Sequence, residues 1–223
     1  MMAPIKNWKN IFISAAVLVF FVGAMAMVGN TTVKNQDPSP KKEIENLVNQ
    51  VINILKDPKL KAPDKQEIKR KKLRSLVEQI FDLDFIARRV LGRYARRFNK
   101  EQFEEFKELF TKMLENIYLT RIENYSGEKV IFEDVKYLAP NKVAVPTKII
   151  KDGQEIPVEY RLIKSKKSGK WIGYDVIIEG VSLVKNYRSQ FYQYLKRHSV
   201  DELLEMMREK VKQLSKEAKT TKS

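Results

Sequence analysis

Apolar positions recur every three or four residues from residue 44 onward. Ile44, Leu47, Val48, Val51, Ile52 and Leu55 fall on one face of a helix that Pro58 stops. Ile68, Leu73, Leu76, Val77 and Ile80 form a second stripe, preceded by Asp64 and Glu67 at capping-box spacing. A third, shorter helix is expected over 84–91, ending at Gly92. Asn99 and Gln102 cap a fourth, whose face is Phe103, Phe106, Phe110, Met113, Leu114 and Ile117, and Gly127 ends it.

The period then drops to two. A strand is expected near 129–137, and Val143, Val145 and Ile149 alternate with Lys142, Ala144 and Lys148. Asp152-Gly153 is a two-residue hairpin turn. Ile156, Val158, Tyr160 and Leu162 follow on one side, and Ile172, Tyr174, Val176 and Ile178 repeat the pattern beyond a turn at Ser165–Lys170. Gly180 breaks this strand, and Ser182 caps a helix through about 196. Ser199 and Glu202 open the last helix, with Val200, Leu203, Leu204, Met207, Val211 and Leu214 on its apolar face. The pattern predicts an α+β fold, helices packed on one face of a four-stranded antiparallel meander sheet. The facing side chains either fill one another as a closed core or leave an apolar cavity between the layers.

The first 28 residues differ. Lys6 and Lys9 precede an uncharged stretch over 11–28, and Ala24-Met25-Ala26 has the spacing of a cleavage site. Residues 1–28 therefore read as a signal peptide or an N-terminal membrane anchor, since 18 helical residues rise about 27 Å against a hydrocarbon core of about 30 Å. Either reading exports the rest, to a periplasm if the cell has one. Residues 29–40 form a Pro/Ser/Asn-containing linker, 41–215 the folded domain, and 216–223 a charged tail expected to be disordered.

The 223 residues hold 43 Lys+Arg against 28 Asp+Glu, a net charge of +15, with no Cys and one His. Disulfides, Cys-bearing zinc sites and Cys nucleophiles are excluded. His198 beside Arg197 reads as a solvated or carbonyl-bonded side chain. Walker, dinucleotide and H-E-x-x-H motifs are absent. Asp175 and Glu179 share a strand face, where an ion pair for Asp175 fits better than acid–base chemistry. Composition thus argues against an enzyme. The basic surface of an exported chain suits anionic membranes or acidic proteins rather than nucleic acid, or serves solvation alone.

The run Asp175-Val176-Ile177-Ile178-Glu179-Gly180-Val181-Ser182, continued by Asn186-Tyr187-Arg188-Ser189-Gln190-Phe191, resembles the D-V…G-V-S…N-Y-R-x-Q-F signature of the MlaC family. Phe81-Asp82-Leu83-Asp84-Phe85, Leu91-Gly92-Arg93-Tyr94, the stretch Ile156–Leu162 and Trp171 agree in order, whereas Tyr94-Ala95 replaces an aromatic pair ending in Trp. The resemblance implies a periplasmic phospholipid carrier, the toluene-tolerance auxiliary component of a lipid-transport system. Such a carrier is a monomer that uses no cofactor or metal; its cargo is phospholipid, with acyl tails inside and headgroup at the surface. It would exchange that cargo with an inner-membrane ABC transporter complex bearing an MCE-domain ring, and with an outer-membrane lipoprotein–porin complex. Burying about thirty methylenes is worth on the order of 20 kcal/mol, so a free lipid does not cross water at a useful rate.

Strand and helix phase give the expected pocket wall: Phe106, Phe110, Val145, Ile149, Tyr160, Leu162, Tyr174, Val176, Val181 and Tyr187. In the signature, Gly180 allows the turn, Ser182 caps the helix, and Tyr187 and Phe191 share a helix face. Arg188 is expected to pair with Asp175, or else to face a lipid phosphate; Asn186 and Gln190 complete the run. The competing function is an exported basic interaction module with a filled core, docking on a membrane or an acidic protein.

Overall fold

The computed structural model describes residues 39–60, 62–119 and 127–220. The expected signal or anchor and most of the linker lie outside them.

Helix α1 (Pro40–Lys56) starts with proline at its first position, where a missing N–H costs nothing, and buries Ile44, Leu47, Val48 and Ile52. Helix α2 (Gln66–Ile80) departs from expectation. A single 3₁₀ turn, Pro63–Lys65, precedes it, Lys65 takes the cap position, and Asp64 pairs with Lys65 at 2.8 Å instead of closing a box with Glu67. Helix α3 (Leu83–Leu91) is capped by Asp82, which accepts from the Phe85 N–H at 2.9 Å. It stops at Gly92, whose φ of +51° and contact with the Tyr192 hydroxyl both require glycine. Helix α4 (Lys100–Leu114) opens with the expected Asn99–Gln102 box, its reciprocal bonds 2.8 and 3.0 Å long, and then widens into a π-type turn at Glu115–Leu119.

The sheet has more strands than the four anticipated. The segment near 129–137 divides at residues 133–135 into β1 (Lys129–Phe132) and β2 (Lys136–Ala139). Both pair antiparallel with β3 (Lys142–Lys151), whose ten residues give each its own length of edge. Then come β4 (Gln154–Lys164), β5 (Trp171–Ile178) and a two-residue β6 (Val181–Ser182), giving the order β1-β3-β4-β5-β6. Asp152-Gly153 and Glu179-Gly180 both have two consecutive positive φ angles, the primed turns that match strand twist.

Two helices follow, α5 (Leu183–Leu195) and α6 (Val200–Thr220). The expected Ser199–Glu202 box forms. Residues 216–220 are helical rather than a loose tail: Lys212–Glu209 at 3.0 Å and Gln213–Glu217 at 2.9 Å extend α6 with one-turn side-chain pairs.

Helices α3 to α6 share one aromatic core. Phe106 and Phe110 stack at 5.8 Å, Phe110 meets the Tyr187 ring edge-on at 5.0 Å, and Phe191 sits 5.3 Å from Phe106. Each such pair adds about 0.5–1.5 kcal/mol beyond its buried area. Phe81, just past α2, bridges to Gly173 on β5 and joins the helical layer to the sheet. A Cβ on Gly173 would lie 2.5 Å from the Phe81 ring. Gly173→Ala is therefore expected to lower stability by about 1–3 kcal/mol in urea unfolding, with the transition slope unchanged.

Candidate functional site

The inner face of the sheet is a lattice of apolar rows. Across β3 and β4, Val143 faces Leu162, Val145 faces Tyr160, Thr147 faces Val158, and Ile149 faces Ile156. On β5, Val176 lies opposite Tyr160 and Ile178 opposite Val158. The one hydroxyl among the β3 and β4 rows other than the Tyr160 phenol, that of Thr147, donates to the Val158 carbonyl at 3.0 Å and is thereby neutralised.

Buried residues on and above this face fall into three separate clusters. One is the helical aromatic core. A second joins Ile44, Val48 and Ile52 of α1 to Val143, Val145 and Leu162, and a third holds Ile149, Ile156 and Val158. The clusters meet at side chains that are only partly buried. Tyr160 touches all three, Val176 the first and third, Ile80 the first and second, and Val130 the second and third. Tyr160, Val176 and Ile178 stay only partly buried while Val145, Leu162 and Val158 beside them are 0–4% exposed. They form a contiguous line across β4 and β5. Desolvation pushes the Tyr160 phenol up to about 12, with the Thr147 hydroxyl opposing. These partly buried apolar side chains mark the seam where the three clusters meet. Among the described residues no cluster of His, Asp or Glu could hold a metal.

The expected wall residues take different places. Tyr160 and Val176 lie partly buried where the clusters meet, and Val145, Leu162 and Ile149 are buried beside them. Phe106, Phe110 and Tyr187 are spent on one another in the helical core. Tyr174 lies beneath the Arg89 guanidinium at 4.7 Å. Val181 is 45% exposed on β6; the primed turn before it carries that short strand to the rim of the sheet. Ile80, Val130 and Ile178 join Tyr160 and Val176 at the cluster boundaries although the sequence did not single them out, and Ile178 shares the alternation of Val176. Nothing in the periodicity distinguishes a lining residue from a core one.

The signature residues build a joint. The buried Asp175 carboxylate accepts from the Val176 and Val184 amides at 2.9 and 3.1 Å and from the Ser182 hydroxyl at 2.5 Å. Ser182 accepts in turn from the Lys185 amide at 3.0 Å, as an N-cap should. Arg188 does not pair with Asp175. Its Nε donates to the Arg89 carbonyl at 2.7 Å, and its Nη2 donates to the same oxygen, satisfying the free end of α3. The carboxylate is already saturated by the chain around it. Gln190 donates to the Asn186 amide oxygen at 3.2 Å within α5. Asn186 also borders a small surface pocket of about 320 Å³ with Arg161, Ser182 and Lys185.

A larger cleft of about 800 Å³ opens between α2, α3, α4 and the β4–β5 turn, and it is charged. Lys107 bridges Glu104 at 2.6 Å and Asp84 at 3.4 Å, and Arg88 holds Asp84 at 2.8 Å. Burial works against the Asp84 carboxylate, but these two cations win and hold its pKa below the usual range. His198 sits at the start of α6, 3.3 Å from Glu202 and stacked on Tyr194, in keeping with a structural role.

The family model described as "MlaC protein" matches residues 45–209. The intermembrane phospholipid transport system binding protein MlaC of Haemophilus influenzae is 28% identical over 135 residues, 59% of this chain and 63% of that protein. A toluene tolerance protein of Pseudomonas putida is 25% identical over 131 residues, 58% of this chain and 60% of that one. The chain thus spans less than two thirds of the length of these curated relatives. A solved phospholipid-binding protein from Ralstonia solanacearum, in complex with a phospholipid, shares the fold with a TM-score of 0.67 at 24% identity, covering 78% of this chain and 98% of that one.

The raised Tyr160 pKa has a direct consequence. The unfolded phenol loses its proton near 10, the folded one near 12. Tyr160 therefore stabilises the fold fully below about pH 10, and that contribution drains away as pH rises toward 12. Urea unfolding at about pH 9 and 11 is expected to show Tyr160→Phe losing less stability than wild type over that interval, by about 1 kcal/mol.

Proposed function

The chain belongs to the MlaC family, and on that premise we propose that it is a periplasmic carrier of glycerophospholipid, holding acyl tails in a slot between helices and sheet. The observation that carries this reading is the accessible apolar line of Tyr160, Val176 and Ile178 in an otherwise closed inner face. A closed core would bury these side chains as completely as it buries Val145 and Leu162. Methylenes entering the slot leave water at about 0.8 kcal/mol each, and the slot offers no competing polar demand because Thr147 is already bonded.

Transfer between two apolar sites is nearly balanced in free energy, so direction must come from a partner. The reading assigns that role to an inner-membrane ABC transporter complex with an MCE-domain ring, and the opposite terminal to an outer-membrane lipoprotein–porin complex. The Haemophilus and Ralstonia relatives are described as binding proteins, which supports a carrier over an enzyme. Among the described residues no helix is long and apolar enough to cross a membrane.

Native mass spectrometry of protein produced by secretion, with extraction of its contents, tests the cargo. A mass increment of one or two phospholipids is expected, and a clean apo mass under gentle conditions would sink the carrier reading. Val176→Phe fills the slot without introducing charge, and Val176→Glu places a carboxylate in it. Both are expected to lower lipid load severalfold while circular dichroism stays native. Full load on a folded Val176→Phe would move the tails elsewhere.

A further inference from the structure

One end of the sheet is made of two turns side by side. β2 passes into β3 through Pro140 and Asn141, β4 passes into β5 through residues 165–170, and the Lys164 amide donates to the Asn141 carbonyl at 2.9 Å. The sequence holds no Asp or Glu from Val135 to Lys151, nor from Tyr160 to Tyr174. Lys136, Lys142, Lys164, Lys166 and Lys167 stand at this end, with Lys136, Lys166 and Lys167 exposed. Lys170 turns toward the charged cleft and is not counted with them.

The same end carries apolar surface. Tyr137 is 76% exposed and its neighbour Leu138 48% exposed, both on β2, which among the described residues pairs with β3 alone and leaves its outer edge open. Large apolar side chains on an open edge strand invite aggregation unless something covers them. Lysines of one sign around a tyrosine and a leucine match the headgroup layer of an anionic bilayer: ammonium groups at phosphate level, the amphipathic phenol at the interface, the leucine below. Lys41 lies 3.8 Å from Asp134, which puts the start of α1 beside the β1–β2 link.

We propose that the β2–β3 and β4–β5 turns form a docking surface for an anionic lipid bilayer. The surface rests on charge and exposure at the end of the sheet and does not depend on the cargo. Because residues 11–28 of the full chain can partition by themselves, the readout has to be local. The chain contains no cysteine, so Leu138→Cys in the full chain accepts a single environment-sensitive dye, and Gln154→Cys at the opposite end of the sheet is the control. With vesicles of about 30 mol% phosphatidylglycerol in phosphatidylcholine, emission at position 138 is expected to shift blue and emission at 154 to stay put. Salt at about 0.5 M abolishes the shift, and combining Lys164→Gln, Lys166→Gln and Lys167→Gln raises the vesicle concentration needed by roughly a hundredfold. The proposal is overturned by an equal shift at both positions, by a shift indifferent to phosphatidylglycerol or to the lysine changes, or by no shift with vesicles. A response to an acidic protein in place of vesicles overturns it as well. Lipid-free protein with an intact response at position 138 would remove the carrier reading and leave this surface standing.

Discussion

The helices satisfy themselves before they satisfy the sheet. Four of them converge on Phe106, Phe110, Tyr187 and Phe191, whose rings meet one another at 5.0–6.1 Å and leave little apolar surface for anything else. Among the described residues, α1, the bridge at Phe81, the Arg89–Tyr174 contact from α3 and the start of α5 hold the helices to the sheet. The sheet's inner face is as apolar as any core, yet its covering is incomplete where the three buried clusters meet. On the proposed reading, side chains fixed in rotamers cannot spread to close that seam, and the slot comes from the fit between layers rather than from a special set of residues.

The signature run builds a joint between sheet and helices. Asp175 gathers a hydroxyl and two amides, fixing β5, the turn at Glu179-Gly180 and the first turn of α5 as one unit. Arg188 then ties α5 to the end of α3 through the Arg89 carbonyl. A buried carboxylate is costly unless its lone pairs are met, and here the backbone and Ser182 meet them. Such a joint fixes the first turn of α5 against β5 at the rim of the sheet. Charge is organised with similar economy. The cleft beside α2, α3 and α4 neutralises itself through short ion pairs, while a run of lysines with no acid near them in sequence gathers at the turn end of the sheet.

Much of the architecture was legible in the chain. Helices α1, α3, α4, α5 and α6 follow their apolar stripes, two capping boxes form as spaced, and both primed turns sit where Asp-Gly and Glu-Gly occur. The exceptions have local causes. Asp64 found Lys65 before it could close a box, β1 and β2 separated because residues 133–135 leave the ladder, and one-turn side-chain pairs carried α6 past Ser215. The site was harder. Val176 and Tyr160 had the right phase, but so did Phe106 and Leu162, which only fill space.

The sequence by itself determined which residues face inward, because side-chain direction follows from a period of two or 3.6 and from the turns that set register. It also determined the family, through a signature in which each residue type has a bonding job. Whether the inward faces meet was decided by tertiary structure alone. That outcome depends on the distance and angle between layers, which sum over many packed side chains far apart in the chain and leave no periodic mark on any of them. The pairing of Arg188 was settled at the same level, since Asp175 became saturated only when β5, β6 and α5 came together.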